Sequence, residues 1–339
     1  MLTFFFTFLF LVSNCYADHW VVLASGSNSW WNYRHQADIL HAYQIVRAHG
    51  IPNSHIITMM YDDIAYNTEN PYPGQVFNYN GGPNVYVDVF KDYTGDFVSA
   101  KNFLKVLRGD KSAPGKVLRT TKNDDIFIYL ADHGAPGFFC FPNDNLWAHE
   151  LIDTFQYMHK HKMYRQITIY VESCESGSLF NGILPNNMSI YALSAASPIE
   201  SSYACCQNMS VNNFLCDCFS INWLQNSDDS NFFDETLIEQ ATIVQNLTTN
   251  STVCQYGDLR VDKDLLSAFL AIKTQNLVKD KHNFKMSDIH DRSRLSNRDN
   301  VCTQGKVDSH CMKEYLKDHK MPLDETEIDN IIEKKICFI

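Results

Sequence analysis

Ile126-Phe127-Ile128-Tyr129-Leu130-Ala131-Asp132-His133-Gly134 and Ile167-Thr168-Ile169-Tyr170-Val171-Glu172-Ser173-Cys174-Glu175-Ser176-Gly177 share one build. Each is an apolar run rich in β-branched and aromatic residues that breaks into a polar, glycine-containing turn. Such runs have the composition of buried strands. Three more follow the same plan at Trp20 to Ala24, His55 to Met60 and Ser189 to Leu193, with helix-like segments between the runs. Strands alternating with helices predict a three-layer α/β sandwich around a mostly parallel central sheet. In that architecture ligands bind beyond the carboxyl ends of the strands, so the chemistry is expected just after the apolar runs.

Two reactive side chains stand there. If the two quoted strands are neighbours, His133 and Cys174 leave the same edge of the sheet, where an imidazole takes the thiol proton and raises the thiolate fraction at mildly acidic pH. The glycines beside them let the backbone turn sharply. The amides of Gly134 and Cys174 are then placed to face the oxygen of a carbonyl under attack. A cysteine or histidine taken alone is more often structural; the joint placement after two parallel-type runs favours catalysis. A His upstream of a Cys in a short Gly-containing motif shares the logic of caspases, but their Gln-Ala-Cys is absent.

Outward from this pair, Met1 to Ala17 holds an apolar run from Leu2 to Val12 and reads as a cleaved secretory signal. Four Asn-x-Ser/Thr sequons begin at Asn187, Asn208, Asn246 and Asn250, each a glycan acceptor in a secreted chain. The net charge of -11, without any dense basic block, argues against a nucleic-acid partner. Thirteen histidines suit an acidic compartment. Cys205, Cys206, Cys216 and Cys218 lack the spacing of a zinc site and are expected in disulfides; the odd cysteine count leaves at least one further thiol free or paired between chains. Tyr66 to Gly95 reads as a long surface excursion. Arg108-Gly109-Asp110 closes a helical run from Asn102 to Leu107, where a glycine cap is expected. By itself Arg34 reads as a charged loop residue and Asp217 as a surface acid. The chain therefore divides into a signal (1–17), an α/β domain carrying the His133–Cys174 pair (18–275), an exposed linker (276–300) and a short helical, cysteine-bearing tail (301–339).

Five ordered motifs, Asn32-Tyr33-Arg34-His35-Gln36-Ala37-Asp38, Met60-Tyr61-Asp62-Asp63-Ile64-Ala65-Tyr66, Asp132-His133-Gly134, Glu172-Ser173-Cys174-Glu175-Ser176-Gly177 and Glu200-Ser201-Ser202-Tyr203-Ala204, resemble the legumain family of asparaginyl endopeptidases. The similarity runs from about Trp20 to about Gly257. It implies a caspase-like fold and hydrolysis after asparagine, or after aspartate at low pH, in a lysosome, another acidic compartment or secreted fluid, without cofactor or metal. By resemblance Cys174 is the nucleophile, His133 the base, Asn32 the group orienting it, Gly134 with Cys174 the oxyanion hole, and Asp132 a residue that forms a succinimide. Arg34, His35, Glu172, Ser202 and Asp217 line the pocket for the residue before the cut. Protein and peptide substrates and cystatin-type inhibitors are the implied partners, with no membrane anchor once the signal is removed.

Such a pocket donates to a carboxamide oxygen and accepts from its NH2, and rejects analogues that leave its polar groups unpaired. The same acyl-enzyme passes to a peptide amine in a ligase, a choice the sequence leaves open. A glycosylphosphatidylinositol transamidase subunit shares the dyad but has glycine in place of Asp132; an inactive binding relative is expected to have lost the nucleophile or base. The chain also departs from the legumain pattern. Ser173 stands where alanine is common and Cys218 where an aromatic is common. Cys302, Cys311 and Cys337 are too few for the two disulfides of the family's inhibitory tail. Asn297 and Asn300, in the linker, are the candidate sites of activating self-cleavage.

Overall fold

Alternation along each strand divides the core in two. In the first strand, β1 (His19–Ser25), Trp20, Val22 and Ala24 fall in one buried cluster and Val21 and Leu23 in another, as the period of two along an extended chain requires. The computed structural model describes residues 18–272. Within them β2 (Ile56–Met59), β3 (Asp125–Ala131), β4 (Gln166–Glu172), β5 (Ile190–Ser194) and β6 (Cys254–Gly257) join β1 in a six-stranded sheet of order β6-β5-β4-β3-β1-β2. Every neighbouring pair is parallel except β6 with β5. All five expected runs are thus strands. The sixth, half-buried and antiparallel at the edge, was not anticipated, since Cys254-Gln255-Tyr256-Gly257 carries no apolar run.

Helices cover both faces. α2 (Ala100–Leu107) and α3 (Ala148–Lys160) bury Phe103, Leu107, Leu151 and Phe155 against the first cluster. α1 (Tyr33–Ala48), α4 (Cys218–Asp229) and α5 (Leu237–Leu247) bury Ile39, Tyr43, Trp223 and Leu237 against the second. There Trp223 takes the rings of Tyr129 and Tyr170 edge-on, with centroids 4.8 Å and 5.5 Å away. Aromatic contacts of this geometry add to simple area burial. The glycine stop after α2 is as expected: Gly109 has φ +64° and its N–H reaches the Val106 carbonyl at 3.2 Å.

Two features revise the sequence reading. The segment from Tyr66 to Gly95 is more than a surface excursion: Val76 and Val85 are buried with Trp30, Tyr33 and Leu40 in a third core. The amide of Asn70 pins its start by donating to the carbonyls of Ile64, Ala65 and Gln75. Further on, strands Ala204–Asn208 and Asn213–Asp217 form an antiparallel hairpin ahead of α4, closed by disulfides Cys205–Cys218 and Cys206–Cys216. Cys140, Cys174 and Cys254 are the free thiols among the described residues. Of the sequons, Asn187, Asn246 and Asn250 are exposed, while Asn208 is half-buried and donates to Asn80 at 2.7 Å. The signal, linker and tail segments, with Asn297, Asn300 and the three tail cysteines, lie outside the described residues. Among the described residues, no helix is long and apolar enough to cross a membrane.

Candidate active site

The register between β3 and β4 sets the site. Ala131 pairs with Glu172 at the carboxyl ends of the two strands, so His133 and Cys174 each stand two residues past the same rung. The ladder continues one step further through Asp132 N–H to the Glu172 carbonyl, at 3.1 Å. Gly134 sits hard against the cysteine turn. A Cβ there would lie 2.7 Å from Ser173 Oγ and 2.8 Å from the Cys174 carbonyl oxygen. Both reactive residues are buried, His133 at 5% and Cys174 at 4% exposure.

β1 ends beside β3, and the chain turns from it into α1, carrying Asn32 back over the histidine. The Asn32 amide is fixed in orientation because its Nδ2 donates to the Asn28 carbonyl at 3.0 Å, leaving Oδ1 to meet His133 Nε2 at 2.8 Å. An amide oxygen only accepts, so Nε2 carries the hydrogen and Nδ1 the lone pair. Nδ1 is therefore the basic atom. The Cys174 thiol donates to the Ser202 carbonyl at 3.7 Å. After it, Glu175 takes a left-handed backbone (φ +48°) and is held by its N–H to the Glu200 carbonyl at 2.8 Å. Such a conformation in a non-glycine residue costs energy and recurs at functional turns.

Beside the pair lies a knot of buried charge. Arg34 Nε donates to Asp217 Oδ1 at 2.8 Å, and His35 Nε2 lies 3.6 Å from Asp217 Oδ2. His35 Nδ1 meets Ser27 Oγ at 2.7 Å and Asp132 Oδ1 at 3.1 Å, and its ring stands edge-on to His133. Glu172 Oε2 accepts from the Ser220 N–H at 3.0 Å and the Ser220 hydroxyl at 2.9 Å, and the Ser202 side chain also bonds this carboxyl. The two corrections here concern Arg34 and Asp217. Arg34 is a buried residue of α1 rather than a charged loop residue, and Asp217 is a buried acid at the end of the hairpin rather than a surface one.

Burial decides protonation in this cluster. It pushes the Glu172 carboxyl up to about 8, with the nearby Asp217 adding to the effect. It also drives Asp132 well above the usual carboxylate range and His35 well below its usual value, the latter helped by Arg34 and His133. Burial thus shifts both His35 and Asp132, whose facing atoms lie 3.1 Å apart, toward their neutral forms. For Asp217 burial again pushes upward, while Arg34 pulls back; burial opposes the Arg34 charge, but Asp217, Asp132 and Asp38 together raise its pKa. The donor atoms of His35, Asp132 and His133 lie within 4.8 Å of one another. One nitrogen of each ring is spent on a hydrogen bond, His35 Nδ1 with Ser27 and His133 Nε2 with Asn32.

Residues 19–283 match the model of the peptidase C13 family. The chain belongs to that family. Legumain of Homo sapiens is 48% identical over 260 residues, covering 75% of this chain and 60% of its own length. Hemoglobinase of Schistosoma mansoni is 50% identical over 253 residues, covering 74% of this chain and 59% of its own. The matched stretch thus spans about three fifths of these relatives. A caspase-1 structure from Spodoptera frugiperda aligns with 77% of this chain and 94% of its own at a TM-score of 0.46 and 9% identity; the α/β assignment rests on the strand order above.

Within this C13 chain the structure brings Cys174, His133, Asn32, Gly134 and Asp132 to one end of the sheet and gathers Arg34, His35, Glu172, Ser202 and Asp217 beside them. Sequence reasoning passed over four residues of the same cluster. Ser27 holds His35, Ser220 holds Glu172, and Asp38 Oδ2 accepts from the Asp217 N–H at 3.2 Å. Asn78 donates to Asp38 Oδ1 at 2.6 Å and to the Leu215 carbonyl at 3.0 Å. Asp38 lay inside a quoted motif without a role. Asn78 carries no local signal, because its partners are distant in sequence.

Proposed function

We propose that this chain is a cysteine endopeptidase that hydrolyses peptide bonds after asparagine, and after aspartate as the pH falls. The observation that carries this reading is the fixed Asn32–His133 hydrogen bond at the rung shared with Cys174, next to the buried Arg34–Asp217 pair. His133 Nδ1 takes the thiol proton, and the sulfur of Cys174 adds to the carbonyl carbon. The amides of Gly134 and Cys174 stabilise the oxyanion. Collapse of the adduct breaks the C–N bond as His133 returns its proton to the departing amine. Water, deprotonated by the same imidazole, then attacks the thioester and releases the acid product and the free thiol.

The pocket reads a carboxamide because Arg34 donates to its oxygen while Asp217 and the Glu172 carboxyl accept from its NH2. A substrate aspartate brings a second negative charge against Asp217. Since Glu172 is held protonated up to about pH 8, that repulsion falls chiefly on Asp217 at acidic pH, and protonating the substrate carboxyl removes it. An acidic compartment of the secretory pathway, or an acidic secreted fluid, fits this chemistry. The test uses matched peptides differing only in Asn, Asp or Gln, with the Cys174→Ala variant as blank. Asparagine cleavage that vanishes in the variant, with aspartate cleavage rising steeply toward low pH, supports the reading; equal Asn and Asp cleavage at neutral pH contradicts it.

A further inference from the structure

The two strands of the hairpin that delivers Asp217 to the pocket are held unequally: Asn213–Asp217 is mostly buried, with Leu215 in the third core and Asn213 donating to the Trp30 carbonyl, whereas Ala204–Asn208 lies half-buried beside it. Its strands, Ala204–Asn208 and Asn213–Asp217, are short, and the first is half-buried and polar; a two-stranded ribbon of this kind is marginal without support. Asp217 is buried beside two further carboxyls, Glu172 and Asp38, so its placement against Arg34 has to be held closely. The two disulfides are both placed around this residue: Cys216 precedes Asp217 and is tied to Cys206, and Cys218 follows it and is tied to Cys205. The strand they tie it to starts where Ser202 gives its carbonyl to the Cys174 thiol and Tyr203 accepts from the Cys218 N–H at 2.8 Å.

We infer that the Cys205–Cys218 and Cys206–Cys216 bridges are positioning elements of the asparagine pocket, holding Asp217 at the Arg34 side chain, so that reducing them loosens substrate recognition while the dyad stays intact. The inference rests on the pocket reading above. The backbones that carry the dyad belong to other elements: His133 and Cys174 follow β3 and β4, and Asn32 caps α1; the Ser202 carbonyl that accepts from the Cys174 thiol precedes the bridged strand. Asp38 and Asn78 still grip the hairpin backbone at Asp217 and Leu215 after reduction, which bounds the loss. A reductant therefore acts twice on this enzyme. At low strength it keeps Cys174 as a thiol; at higher strength dithiothreitol delivers two electrons and two protons to each bridge, giving two cysteine thiols and the cyclic oxidised reagent.

The experiment measures kcat and KM for an asparagine peptide in the full chain under a mild monothiol, then after dithiothreitol, counting liberated thiols by alkylation and mass. The variant pairs Cys205→Ser with Cys218→Ser, and Cys206→Ser with Cys216→Ser, are run separately as a chemical-free check. The alkylation rate of Cys174 reports on the dyad. Reduction is expected to raise KM by about tenfold to a hundredfold, the scale of a small misplacement at a substrate-positioning group. It should narrow the preference for Asn over Asp and leave Cys174 alkylation unchanged. Confirmed reduction without a change in KM or in that preference overturns the inference. A parallel fall in Cys174 alkylation does so too, because the bridges then hold the fold and not the pocket. An oxidised protein with no asparagine preference removes the pocket reading itself before any reductant is added, so the two failures are told apart.

Discussion

Replacing Glu172 with glutamine is expected to flatten the pH dependence of stability. Glu172 is 1% exposed, and burial first, then Asp217, lifts its carboxyl to about 8 from an ordinary 4.5. In the unfolded chain it titrates near its ordinary value, so between the two the folded state binds one proton more than the unfolded state. The sign follows directly: this stability is fully present below the unfolded pKa and is lost as pH rises through the folded pKa, at about 1.4 kcal/mol per pH unit. Between about pH 5 and about pH 7.5 the Glu172 proton alone accounts for about 3 kcal/mol. Asp38 and Asp132, raised by burial as well, act in the same direction, so the unmodified protein falls more steeply still. Glutamine matches the shape and keeps an oxygen for Ser220 but does not titrate. Denaturant unfolding at the two pH values, in a Cys174→Ala background that prevents self-digestion, should show Glu172→Gln losing about 3 kcal/mol less than its parent, or about 6–12 °C less in Tm. Parallel pH profiles, or a parent that gains stability as pH rises, would refute the assignment of a buried, protonated Glu172.

Three other outcomes are expected. Gly134→Ala places a methyl 2.7 Å from Ser173 Oγ and 2.8 Å from the Cys174 carbonyl, and kcat should fall by about a hundredfold or more through displacement of the proposed oxyanion donors; an undiminished kcat in a folded variant contradicts that role. Asn32→Ala removes the acceptor that fixes the His133 tautomer, so kcat should drop by about tenfold to a hundredfold with KM little changed, and Asn32→Asp, which keeps an acceptor, should recover part of it. Arg34→Ala leaves Asp217 buried without its 2.8 Å partner, and unfolding should cost about 3–5 kcal/mol less than in the parent; a loss under about 1 kcal/mol in denaturant melts would mean the pair is effectively exposed.

Much of this molecule is legible in the sequence because its signals are local. The apolar runs ending in His133 and Cys174 give strand, direction and reactive residue together, and parallel pairing then places both at one edge without further information. The grouping of Arg34, His35, Glu172, Ser202 and Asp217 was legible only through resemblance. Asp217 looks like a surface acid between two cysteines because its partner, Arg34, stands far away in sequence, and ion pairs across such distances leave no periodicity to read. The same holds for Asn78, which links Asp38 to Leu215 from inside a Pro- and Gly-rich stretch that reads as surface. The disulfide pairing was open for a different reason. Cys205, Cys206, Cys216 and Cys218 permit more than one arrangement, and the choice depends on a hairpin register set by turn geometry rather than by an apolar pattern.

Three free thiols, Cys140, Cys174 and Cys254, are present among the described residues, and this allows a direct test. An asparaginyl peptide chloromethyl ketone, incubated with the acid-treated protein and followed by peptide mapping, is expected to alkylate Cys174 alone, to be blocked by an excess of asparagine substrate, and to be slowed in His133→Ala. Labelling at Cys140 or Cys254, or equal labelling of Cys174 by the glutaminyl analogue, would contradict a Cys174 nucleophile served by an asparagine pocket.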